Sequence, residues 1–217
     1  MDVRKSNQLK TIVEHYQKFT NLIIKEVIEM SEAYPEGFKV IGINRNETCR
    51  YSLEIKTPNE NADKALFVLM KNPSVGDEKL MDPTIKLLVK HVAPRYRKMI
   101  IVNASPVIET DSENLNDHRE EIEKQADKNA RVITEMAQNL GEADLLLATG
   151  EVEDILKGSY VELMNQISQS ELGNHLYMIS SVANYGGHPL GKLIADMEKL
   201  TPVEQADAEW HLKEIKA

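Results

Sequence analysis

One run in this chain reads as interior from the sequence alone. Ala65–Met70 is ALFVLM, six apolar residues without a polar break, and it stops abruptly at Lys71-Asn72-Pro73-Ser74. An apolar run this short, ended by a polar turn, is the pattern of a strand buried on both faces. Such strands belong to parallel sheets covered by helices, and open α/β sheets bind ligands beyond the carboxyl ends of their strands. The Asn-Pro-Ser turn is therefore the first candidate for a site.

Three later runs repeat the pattern. Residues 98–102 (KMIIV) end in Asn103-Ala104-Ser105-Pro106, residues 143–148 (ADLLLA) in Thr149-Gly150, and residues 175–180 (HLYMIS) run on to Gly187-His188-Pro189. Apolar spacings of three and four predict helices between them at 83–91, 117–140 and 151–169, and a short one near 190–199. Alternating strands and helices predict an α/β fold with a central, mainly parallel four-stranded sheet, in a three-layer α/β/α arrangement. Residues 38–43 and 49–55 predict an antiparallel hairpin. Ile12, Tyr16, Phe19, Ile23, Val27 and Met30 predict a helix over 6–34. The expected organisation is an N-terminal helical extension at 1–37, an α/β domain at 38–200 and a charged C-terminal tail at 201–217.

Charge narrows the function. The formal net charge is −9, with 35 acids against 26 bases, whereas grip on duplex phosphates calls for a basic face. Nucleic acid is therefore a less expected partner than a small molecule or a protein, and the basic run His91–Lys98 reads as a solvated helix end. Cys49 is the only cysteine, so no intrachain disulfide can form, which suits a reducing, cytoplasmic setting. No window is apolar enough for a membrane span, and no His/Cys cluster has zinc spacing. Neither cofactor nor metal is expected. Walker, dinucleotide and nucleophile-elbow signatures are absent.

If the four strands are parallel, their polar exits converge. Asn72 can accept and donate at once, so it either holds a ligand or caps its own turn, and Pro73 stiffens that turn beside Ser74. Asn103 repeats the pattern one strand on. His188 lies among glycines that allow close backbone approach, and its imidazole can donate to an oxygen that gains negative charge. Asp82 is either the cap of the following helix or a site carboxylate. Arg50 and Tyr51, on the hairpin, either fold over the site or line the surface. Gly150 closes the third exit. His15, His91, His118, His175 and His211 read as structural.

These pieces — Arg50-Tyr51, Leu69-Met70-Lys71-Asn72-Pro73-Ser74, Asp82-Pro83-Thr84-Ile85, Val102-Asn103, Thr149-Gly150 and Gly187-His188-Pro189-Leu190 — resemble a family of bacterial and phage proteins labelled domain of unknown function 1643. The resemblance covers roughly residues 48–191. It departs from the family pattern at Val75-Gly76, where Thr-Ala is usual, and at Thr149, where a tryptophan is frequent. More distantly, the chain is similar to the uracil-DNA glycosylase superfamily, with its Asn-Pro or Asp-Pro strand exit, its later asparagine and its His-Pro segment. That resemblance implies a glycosylase-like fold and a base- or nucleotide-sized pocket at the carboxyl edge of the sheet. Asn72 would position water, Asn103 would read a pyrimidine-like edge, and His188 would stabilise the departing base. The enzyme reading is an N-glycosidic-bond hydrolase. The alternative is a non-catalytic binding protein, a phage-type effector or partner-binding module, on the same fold. No aromatic follows Asn-Pro-Ser to stack on a base.

Overall fold

The computed structural model describes residues 31–182, 185–190, 192, 194–206 and 212–215. Its centre is an eight-stranded mixed sheet in which the Ala65–Met70 strand (β4) is buried along its whole length. Around it lie Lys98–Asn103 (β6), Ala143–Leu147 (β7) and Leu176–Met178 (β8). These four are mutually parallel, in the spatial order β8-β7-β4-β6. Arg50–Lys56 (β3) and Lys39–Arg45 (β2) extend the sheet antiparallel beyond β6. Thr201–Gln205 (β11) and Leu212–Glu214 (β12) extend it antiparallel beyond β8.

The expected four-stranded, mainly parallel sheet is thus corrected to a mixed sheet of eight strands, in which the four predicted parallel strands form the middle. The predicted charged tail supplies two of the added edge strands. The predicted helix at 6–34 lies outside the described residues except for its last four. Those include no helix: Glu32–Ala33 (β1) pairs antiparallel with Leu80–Met81 (β5). A further short pair joins Ser181–Val182 (β9) to Tyr185–Gly186 (β10).

Local chemistry explains the helices. Pro83–His91 (α1) starts at Asp82, whose side chain accepts from the Ile85 backbone N–H at 2.9 Å; Pro83 follows the cap, and Lys90 and His91 sit at the opposite dipole end. Arg119–Gln138 (α2) buries one face through Ile122, Ile133 and Ala137, and Asp154–Ser168 (α3) buries Leu156, Tyr160, Leu163 and Ile167. α2 and α3 cover one face of the sheet against Phe67, Leu69, Val102 and Leu147. α1 covers the other, against Leu66, Val68 and Ile101, together with Met197 of Ile194–Glu198 (α4). No helix among the described residues is long and apolar enough to cross a membrane.

This order has a consequence for ligand binding. β4 and β7 are neighbours, yet the chain leaves β4 for α1 on one face and leaves β7 for α3 on the other. Adjacent parallel strands whose connections diverge in this way open a crevice at their carboxyl ends, the topological switch point of open α/β sheets.

Candidate functional site

The strand exits meet at that crevice. The Met70 and Lys71 carbonyls accept from the Ala104 and Ser105 N–H groups, each at 2.8 Å, which ties the β4 and β6 exits together. The Ala148 N–H donates to the Leu69 carbonyl, and the Gly150 N–H to the Gly186 carbonyl, also at 2.8 Å. Gly150 has φ +68°, and a Cβ there would stand 3.1 Å from the Cβ of His188. Gly186 lies so close to the Leu147 carbonyl that any side chain would overlap it. Tyr185 packs edge-on against Tyr160 of α3, with ring centroids 5.3 Å apart. Together these contacts hold the segment carrying His188 over the end of β7.

Lys71 reaches across the crevice to Glu153, just ahead of α3, with Nζ to Oε1 at 2.7 Å. Lys71 also acts on His188: burial first and the Lys71 charge second push the imidazole down to about 4, so it is neutral at physiological pH. His188 Nδ1 accepts from the Leu190 backbone N–H at 3.3 Å, which places the remaining proton on Nε2 as a donor. Glu153 Oε2 is buried with no hydrogen-bond partner among the described residues.

Asn103 is fully buried, with neither side-chain atom partnered among the described residues. Its backbone carbonyl accepts from Asn129 Nδ2 at 2.8 Å. Arg50 is likewise buried and donates to the Gly76 carbonyl, while its Nε has no partner among the described residues. Burial lowers the Arg50 pKa, and the nearby Asp82 carboxylate opposes the shift. Asp82 therefore serves both readings at once: it caps α1 and supplies negative charge to Arg50.

Other predicted site residues are placed differently. Asn72 Nδ2 donates to the carbonyls of Glu109 at 2.6 Å and Pro73 at 3.3 Å. Two carbonyl acceptors fix the orientation of the amide and leave Oδ1 as its acceptor end. Pro73 is buried and its carbonyl accepts from the Glu109 N–H at 3.0 Å, while Ser74 is half-buried in the same turn. Tyr51 does not fold over the crevice. It is buried under α2, donating to Gln125 Oε1 at 2.7 Å, with the Lys128 ammonium 4.1 Å from its ring centroid. His118 bonds Glu109 at 3.0 Å and His175 lies at the opposite edge, 4.0 Å from Asp144. No cluster of three or more His, Cys, Asp or Glu side chains suited to a metal occurs among the described residues.

The residues that sequence reasoning missed are Lys71 and Glu153. Lys71 stood inside the quoted motif as the first polar residue after a buried strand, which is a usable signal. Glu153 carried none beyond its position before a helix. A cleft of about 990 Å³ opens at the other edge of the sheet, lined by Lys64, Glu142, Glu171, His175 and the ends of α2 and α3. It faces the amino ends of the parallel strands, away from the converging exits; Lys64 on its wall pairs with Asp144 at 2.8 Å, and the Tyr96 hydroxyl lies 3.1 Å from Asp144.

The fold and crevice define an open α/β protein with polar side chains gathered at a switch point. The chain belongs to the family described as Protein of unknown function (DUF1643), whose model matches residues 50–190. That span opens at Arg50, closes at Leu190 and contains every residue of the crevice named above. No curated protein and no solved structure matches the chain.

Proposed function

We propose that the crevice binds a nucleobase, nucleoside or nucleotide and hydrolyses its N-glycosidic bond, in the manner of the uracil-DNA glycosylases that the exits resemble. The observation that carries this reading is His188. A neutral imidazole offers Nε2–H beside the Lys71 ammonium at a topological switch point. A departing base carries the bonding electron pair away as an anion, and a preorganised donor next to a cation stabilises that charge as it develops. Asn72 orients water through Oδ1, and the Asn103 amide, without a partner among the described residues, meets a donor–acceptor edge of the base. The net charge of −9 favours small substrates over duplex DNA.

The test is incubation with nucleosides, 2′-deoxynucleotides and base-modified oligonucleotides, followed by chromatography for free base. Release that falls at least 100-fold in His188→Ala is expected; no release from any substrate by folded protein overturns the reading. A non-catalytic binding role is the second reading. It is favoured by Leu190 and Ile194, large apolar side chains left half exposed next to the His188 segment. A stoichiometric protein partner retained unchanged by His188→Ala, without base release, would favour it.

A further inference from the structure

Hydrolysis of a glycosidic bond needs a destination for the water proton, and the residues of the motif do not provide one. Asn72 is an amide that can orient water but cannot take its proton at neutral pH. His188 has its Nδ1 engaged by the Leu190 N–H and its Nε2 protonated, so neither nitrogen is an open acceptor. Asp82 has Oδ1 committed to the cap of α1 and faces Arg50.

Glu153 meets the requirement. Its Oε1 is fixed by Lys71 at 2.7 Å, and Lys71 adjoins Asn72 in the chain and acts electrostatically on His188. Its Oε2 is buried and has no donor among the described residues, an arrangement that costs free energy unless something occupies it. One oxygen locked to a cation and the other vacant is how a carboxylate is held in place to receive a proton.

Building on the hydrolase reading, we infer that Glu153 is the general base, accepting at Oε2 a proton from the water that attacks the sugar carbon. In this step the water oxygen bonds to the anomeric carbon as the carbon–nitrogen bond breaks. The bonding pair leaves with the base, whose negative charge is met by His188 Nε2–H. The water proton passes to Glu153 and then to solvent, and the base is protonated from solvent. Lys71 is a positioning residue that holds the carboxylate in its working orientation.

The test uses the full chain with deoxyuridine, deoxyuridine monophosphate, deoxyinosine and a uracil-containing oligonucleotide, reading free base. Glu153→Gln keeps the shape and the contact to Lys71. It is expected to lower kcat on the order of 100-fold or more with KM within about twofold, and to abolish the acid limb of the pH–rate profile. Glu153→Ala with added azide, a nucleophile that needs no base, is expected to recover turnover and yield glycosyl azide. Release by Glu153→Gln within threefold of the unsubstituted chain overturns the assignment and leaves the hydrolase reading standing. Loss in both variants without azide rescue marks a structural role and also overturns it. No release by the unsubstituted chain removes both the assignment and the reading beneath it.

Discussion

Replacing Asn103 by Leu is expected to stabilise the protein while removing its ligand response. The Asn103 amide is fully buried and neither its oxygen nor its nitrogen has a partner among the described residues. Each buried unsatisfied group costs about 1–3 kcal/mol. Two of them set a penalty of at least about 2 kcal/mol. Leu has the same branching at Cγ and carries no polar atom; fitting its slightly larger methyl groups beside Met70 costs about 1 kcal/mol. The net expectation is a gain of about 1 kcal/mol or more, or about 2–4 °C in Tm for a chain of this size. Urea unfolding of both proteins measures the difference, with the m-value unchanged. Ligands that raise the Tm of the unsubstituted chain should leave Asn103→Leu unmoved. A loss of more than about 1 kcal/mol would refute the reasoning, because the amide would then be paired in solution, through a buried water, and would not be held open for a ligand.

Three further outcomes follow from the same geometry. The folded-state pKa of His188 lies at about 4, below the 6.5 of an unperturbed imidazole, so the unfolded chain binds more protons between those values. Stability should therefore fall as pH drops from about 6.5 to about 4, by up to about 3 kcal/mol, and the fall should vanish in His188→Gln; urea midpoints across that range measure it, and a flat profile would contradict the neutral assignment. Asp82→Ala should cost more than the roughly 1 kcal/mol of a lost cap, since buried Arg50 also loses its nearby negative charge. Asp82→Asn keeps the cap and isolates the charge effect; a change under about 0.5 kcal/mol in Asp82→Asn would show that Arg50 does not depend on it. Gly186→Ala should destabilise by more than about 3 kcal/mol or prevent folding, because its methyl overlaps the Leu147 carbonyl, and thermal unfolding near the parent Tm would contradict that.

What the sequence disclosed is what local chemistry determines. β4 was legible because six apolar residues need burial on both faces, and α1 because Asp82 and Pro83 mark its start. The edge strands were not. Thr201–Gln205 contains Pro202 and alternates weakly, and it becomes a strand by pairing with Tyr177 and Met178. Glu32–Ala33 depends equally on Leu80 and Met81, far along the chain. Tyr51 was misplaced for a sharper reason. Asn44 pairs with Ser52 and the next residue, Arg45, with Arg50, so Tyr51 is the extra residue of a bulge. Simple alternation would put Tyr51 on the face of Leu53; it instead lies under α2 while Leu53 packs on the α1 side. In the candidate site, Asn103 and His188 were legible as polar residues at strand exits. The Lys71–Glu153 pair spans 82 positions and is set by tertiary structure alone.

Polar satisfaction separates the two edges of the sheet. At the amino edge, Lys64 on the wall of the cleft pairs with Asp144, Asp144 accepts from the Tyr96 hydroxyl, and the bond to Asp144 raises the Lys64 pKa as a completed pair should. At the carboxyl edge the accounting is left open. The buried unpartnered side-chain atoms among the described residues belong to Arg50, Asn103, Asn129, Glu153 and Ser180. Arg50 and Asn103 border the β6 exit, Asn129 holds the Asn103 carbonyl, Glu153 follows the β7 exit, and Ser180 follows β8. Such atoms are few in folded proteins, and each carries a cost that packing elsewhere must offset. Scattered, they would be defects; ranged along the carboxyl edge, they are the unmet half of a set of hydrogen bonds. Recognition of a polar ligand requires such unmet groups, and among the described residues they lie along the carboxyl edge.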